Sequence, residues 1–103
     1  MKTWSEFQET LQELMGPDIK VYFQPPENLK MKYPCVVFER TNALTMYADN
    51  NPYQVTKRYT VTLISKTSDN EEALDKLLTF PMSTYDRQFT NDNLVHDVFS
   101  IYF

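Results

Sequence analysis

The segment VTKRYTVTLIS, residues 55–65, alternates regularly enough to restrict the whole chain to one class of fold. Tyr59, Val61 and Leu63 fall on one side of a strand, and Arg58, Thr60 and Thr62 on the other, because successive side chains point to opposite faces. Such a strand implies a sheet with one buried and one polar face. Something amphipathic has to cover the buried face, and two segments have the pattern for it.

The first is residues 4–15. Thr3 and Glu6 have the spacing of a capping box, in which each side chain satisfies a free backbone N–H at a helix start. Trp4, Phe7, Leu11 and Leu14 then recur at three- and four-residue spacings and line one helical face. Gly16-Pro17 ends the helix, glycine by accepting a left-handed cap and proline by refusing to continue. A second capping box at Ser68 and Glu71 opens a helix through Thr79, with Ala73, Leu74, Leu77 and Leu78 as its apolar stripe. Pro81 stops it.

The remaining segments are strands and their connections. Ile19, Val21 and Phe23 alternate with polar neighbours until Pro25-Pro26 removes the ladder donors. A lysine-rich loop over residues 27–33 leads to the strand CVVFER, residues 35–40. Residues 82–89 and 95–103 read as strands joined by the polar turn TNDN, with Phe99, Ile101 and Phe103 on one buried face. Residues 41–54, TNALTMYADNNPYQ, have no clear periodicity and are expected to form a long loop around Asn50, Asn51 and Pro52. Its Leu44, Met46, Tyr47 and Tyr53 either tuck into the core or make contacts outside it. The expected order is α-β-β-β-α-β-β, and short links favour antiparallel pairing within each strand group. The fold class is α+β: a single domain over residues 1–103, with a largely antiparallel sheet of about five strands and both helices on one face.

Several kinds of chemistry are disfavoured. The single glycine, Gly16, leaves no Gly-rich phosphate cradle. A net charge of -4 argues against non-specific binding to DNA or acidic membranes. Lys30, Lys32, Lys57 and Arg58 are split between two segments and suit a solvated face. Lone Cys35 makes neither an internal disulfide nor a zinc site, has no basic neighbour to activate it, and reads as a buried, inert thiol in a reducing compartment. No apolar run reaches the roughly 18–20 residues that cross a bilayer, and MKTWSEFQETLQEL lacks the apolar centre of a signal peptide. The expectation is a soluble protein of the cytoplasm.

His96 with Asp92 and Asp97 is the one cluster resembling a metal or catalytic site. Alternation sends His96 and Asp97 to opposite faces, and Asp92 alone gives a His–Asp pair without a third ligand. No GxSxG elbow supplies a nucleophile, and the NDN turn lacks the glycine and glutamate of a calcium loop. Asp86-Arg87 offers an ion pair, either local or between subunits. No enzyme, metal or cofactor is expected. Aromatic residues at 15% suit a core of large rings, an interface, or both.

The stretches VYFQPPENLKMKYPCVVFER, YADNNPY, KRYTVTLISK and YDRQFTNDNLVHDVFSIYF resemble the tail terminator, or tail completion, proteins of long-tailed bacteriophages and of prophages in Gram-positive bacteria. The likeness covers almost the whole chain and is least distinctive around residues 66–80. It implies an α+β subunit of a homo-hexameric ring that caps the head-proximal end of the tail tube. The implied partners are the tail tube protein and the head connector, with phage DNA passing through the lumen in the virion neck. The implied contact residues are Thr45, Met46, Tyr47, Asp49, Asn50 and Tyr53, together with Arg58, Asp86 and Arg87. The alternatives are another neck component, such as a head-closure or head–tail joining protein, a bacterial interaction domain, or a small enzyme using His96 and Asp92.

Overall fold

A computed structural model describes residues 3–25, 30, 32–48, 51–66 and 71–103, with backbone alone for 42–48 and 51–56. Helix α1 spans Trp4–Met15, followed by strands β1 (Lys20–Phe23), β2 (Cys35–Ala48) and β3 (Asn51–Ser65). Helix α2 (Glu71–Leu78) precedes β4 (Ser83–Asn91) and β5 (Leu94–Tyr102). The architecture is the expected α+β fold, in the expected order.

Local chemistry accounts for α1. Thr3 Oγ1 accepts the Glu6 N–H at 3.2 Å, which is the predicted cap. At the other end Gly16 has φ 83° and donates its N–H to the Gln12 carbonyl. A Cβ at Gly16 would meet nothing within 4 Å, so backbone freedom alone, and not lack of space, favours glycine there. In α2 the buried stripe is narrower than predicted. Ala73 and Leu77 are buried, whereas Leu78, at the helix end, is exposed. The predicted cap residue Ser68 lies outside the described residues.

The sheet order is β1-β2-β3-β5-β4. Three of its four pairings are antiparallel, but β1 and β2 are parallel, which corrects the expectation of antiparallel pairing in the first group. Parallel neighbours need a crossover connection, and residues 24–34 provide it. Helix α1 then seals the outer edge of β1. The Val21 N–H donates to Gln12 Oε1 at 3.1 Å, and Gln8 Nε2 donates to the Val21 carbonyl at 3.2 Å. Gln12 Nε2 also donates to the carbonyls of Gly16 and Ile19, each at 2.9 Å.

Both helices pack on one face of the sheet. Phe7, Leu11, Ala73 and Leu77 meet Val36, Phe38, Tyr59, Val61, Leu63, Phe99 and Ile101 in a single core. Phe7 sits at its centre, with ring centroids of Phe38, Tyr59, Phe80 and Phe103 at 5.2, 4.6, 6.0 and 4.7 Å. Phe103 is held by paired backbone hydrogen bonds with Lys57 at 3.2 and 2.9 Å.

Residues 41–54 are not a loop. Pairing between β2 and β3 continues from Asn42↔Arg58 out to Ala48↔Asn51. Register shifts between Arg40 and Asn42, and between Met46 and Tyr47, break the two-residue period, which is why the sequence pattern there reads as irregular. Strand β1 flanks β2 only at 35–38, and β5 flanks β3 only at 58–65. Residues 42–48 and 51–56 therefore form a two-stranded ribbon beyond the body of the sheet. The longest dimension is 51 Å and the radius of gyration 14.6 Å, against roughly 13 Å for a compact chain of this size.

Replacing Phe7 with alanine removes the ring that joins α1 to β2, β3 and the residue after β5. The expected loss is about 3–5 kcal/mol of stability, measurable by urea denaturation. A loss comparable to an exposed substitution contradicts the central position assigned to Phe7.

Candidate functional site

Strand β5 separates the predicted His–Asp cluster. The His96 ring lies flat against Phe89, with centroids 4.6 Å apart and planes 8° from parallel. Burial holds its pKa below the usual histidine value, partly offset by the Asn91 backbone and by the charges of Asp92 and Asp97. Asp97 points to the helix side, where it is 5% exposed. Its Oδ1 accepts from Tyr85 Oη at 2.7 Å and from Gln88 Nε2 at 2.9 Å. Asp92 and Asn93 occupy the two-residue turn between β4 and β5, with φ of 52° and 62°, as a tight hairpin requires. Cys35 is fully buried, and burial raises its pKa to about 11. Among the described residues no three His, Cys, Asp or Glu side chains gather to hold a metal.

A bulge in β4 organises the other predicted contact residues. The register skips between Tyr85 and Arg87, so Asp86 sits in the irregular step. Arg58 Nη2 donates to Ser100 Oγ at 3.0 Å, and Ser100 Oγ donates to Asp86 Oδ2 at 2.9 Å. Arg58 and Asp86 are thus joined through Ser100 on the face without helices. Arg87 makes no ion pair with Asp86; its guanidinium lies 5.8 Å from the centre of the Phe89 ring. The bulge also splits two aromatics that otherwise share a face. Tyr85 stacks on Phe99 at 5.1 Å toward the helices, while Phe89 stacks on His96 on the bare side.

Thr45, Met46, Tyr47 and Tyr53 fall on the ribbon backbone, with Thr45 opposite Val55, Met46 opposite Gln54 and Tyr47 opposite Pro52. Asp49 and Asn50 lie outside the described residues. The predicted contact residues therefore form two groups: the ribbon, and the Arg58–Ser100–Asp86 chain with Arg87 beside it. Charge is unevenly distributed between the layers. Helix α1 carries Glu6, Glu9 and Glu13 without a lysine or arginine, and α2 carries Glu71, Glu72 and Asp75 against Lys76. The strands carry Lys20, Arg40, Lys57, Arg58 and Arg87 against Glu39, Asp86 and Asp97. A cleft of about 370 Å³ between the end of α1 and α2 includes Asp18, Glu72 and Lys76, but Glu72 and Lys76 pair with one another at 3.6 Å. No helix among the described residues is long and apolar enough to cross a membrane.

Sequence reasoning missed Asp97, Ser100 and the two glutamines of α1. Asp97 was detectable in principle. It shares its side of β5 with Phe99 and Ile101, and a charged group on an apolar side signals a buried hydrogen-bonded role.

Burial, the hydrogen bond to Asp97 and that carboxylate's charge push the Tyr85 pKa up to about 12. The folded protein then holds this proton more tightly than the unfolded chain, whose tyrosine titrates near roughly 10. The stabilisation is complete below about pH 10 and is lost as pH rises through about 12. Tyr85→Phe removes the titrating group, so the stability advantage of the native protein over this variant should shrink across that window. Urea midpoints measured from pH 8 to 12 test this, and a constant gap refutes the link.

No family model matches the chain, and no curated protein matches it significantly.

Proposed function

We propose that this chain is a structural protein of a phage or prophage virion, a tail terminator that assembles as a ring on the head-proximal end of the tail tube. The ring stops tube polymerisation, offers a joining surface to the head connector, and lets DNA pass through its lumen. It works by shape and contact, without catalysis or cofactor.

The β2–β3 ribbon is the observation that carries this reading. A two-stranded ribbon is marginally stable in water by itself, and its outer edges present unpaired backbone groups. Between 42–48 and 51–56 it contains no Asp, Glu, Lys or Arg, although charges are a usual defence of an exposed edge. Such an element suits a protein that spends its working life in an assembly. The α+β fold agrees with what the family resemblance implies. The acid-rich helical layer supports a lumen that repels the phosphate backbone, so that DNA slides without adhering.

Deleting residues 46–53 should leave the core intact, since that stretch lies beyond the parts of β2 and β3 that β1 and β5 flank. The shortened protein is expected to keep its circular dichroism and urea midpoint, remain monomeric, and leave tail tubes uncapped in negative-stain images. Rings and capped tubes from the shortened protein would remove the ribbon from the interface. Failure of the full chain to cap tubes would remove the terminator reading itself.

A further inference from the structure

We infer that β4 is the acceptor for the β2–β3 ribbon of a second copy of this chain, which adds to the sheet as a further strand. Among the described residues, strand edges without a neighbouring strand occur at three places: β1, β4 and the ribbon. The first is already occupied, because Gln8 and Gln12 bond the Val21 carbonyl and N–H. Strand β4 is different. It ends the sheet with β5 as its only strand neighbour, and eight of its nine residues are exposed.

The surroundings of β4 suit an incoming strand. Among the described residues the exposed large hydrophobic groups include Tyr85 and Phe89 in β4 and Met82 just before it, besides Leu78 at the end of α2 and Trp4 in α1. The bulge sets Tyr85 on one face and Phe89 on the other, so an added strand meets an aromatic group on each side. Asp86 is already engaged by Ser100, and with Arg87 the strand carries no net charge, which fits ribbon strands 42–48 and 51–56 without charged residues. Residues 42–48 extend about 23 Å, within the roughly 30 Å of β4.

The ribbon cannot serve its own β4, because β5 stands between β3 and β4. A second copy is the occupant whose contact pairs β4 and one edge of the ribbon together. Donor and acceptor are different patches of one chain, so each copy gives a ribbon to one neighbour and receives one from the other, a heterologous contact that can close into a ring. A β4–β4 dimer leaves both ribbons open, and a foreign strand on β4 leaves the ribbon open. The closure of this contact rests on the ring reading above, whereas the contact itself is tested separately.

In a Cys35→Ser background, Thr45→Cys marks the ribbon, and Thr84→Cys and Thr90→Cys mark β4. Each variant's fold is checked by circular dichroism. Under oxidation at millimolar chain concentration, with and without tail tubes, mixing the ribbon variant with either β4 variant should give a disulfide-linked heterodimer. A dominant β4–β4 homodimer, or no ribbon–β4 product in either mixture, overturns the inference. Capping of tubes is scored in parallel. Cross-linked copies that fail to cap tubes uphold the contact and defeat the terminator reading. Capping without the cross-link overturns the contact and leaves that reading standing.

Discussion

The packing of Phe7 against four other rings is the contact on which the remaining structure depends. Its neighbours come from β2, β3, the link between α2 and β4, and the residue after β5. One side chain thus connects elements from both ends of the chain. Aromatic pairs add to the burial of large apolar area when the rings meet edge-on or tilted, and both geometries occur around Phe7. With a single glycine and many rings, the chain builds its core from a few large pieces. Such a core holds one arrangement closely, since voids between large rings are costly.

That core also decides which surfaces are left for partners. Both helices cover the same face, and the opposite face, which no helix covers among the described residues, carries the Arg58–Ser100–Asp86 chain. Helix α1 closes the β1 edge through its glutamines, and nothing comparable among the described residues closes β4. The hairpin continues past the point where the flanking strands stop. The asymmetry between a sealed edge, an open edge and a projecting ribbon arises from the packing of α1 and from unequal strand lengths.

Register irregularities link this architecture to the proposed interface. The shifts between β2 and β3, one skipping Thr41 and the other Tyr53, allow the hairpin to continue while erasing its sequence signature. The bulge in β4 places Tyr85 and Phe89 on opposite faces and leaves Asp86 within reach of Ser100. Each is a local change of one residue in pairing with a consequence for a whole surface, because side-chain direction in a strand reverses at every step.

Much of the fold was legible in the residues themselves. Helix α1 was legible to the residue, because its cap, apolar spacing and stop signals are local. The buried side of β3, a polar turn within TNDN, the burial of Cys35 and the separation of His96 from Asp97 were legible too, each following from a period or a turn rule acting over a few residues. The turn proper, however, is only Asp92-Asn93, and the strands run closer to it than expected. The tertiary structure alone decided the rest. The parallel pairing of β1 with β2, the extension of the hairpin through residues 41–54, the sealing of β1 by Gln8 and Gln12, and the capture of Asp97 by Tyr85 and Gln88 all depend on which segments lie side by side. The physical reason is one of range. Capping and alternation act between residues near in sequence, whereas strand neighbours, bulges and buried polar partners are chosen by contacts between residues far apart in the chain.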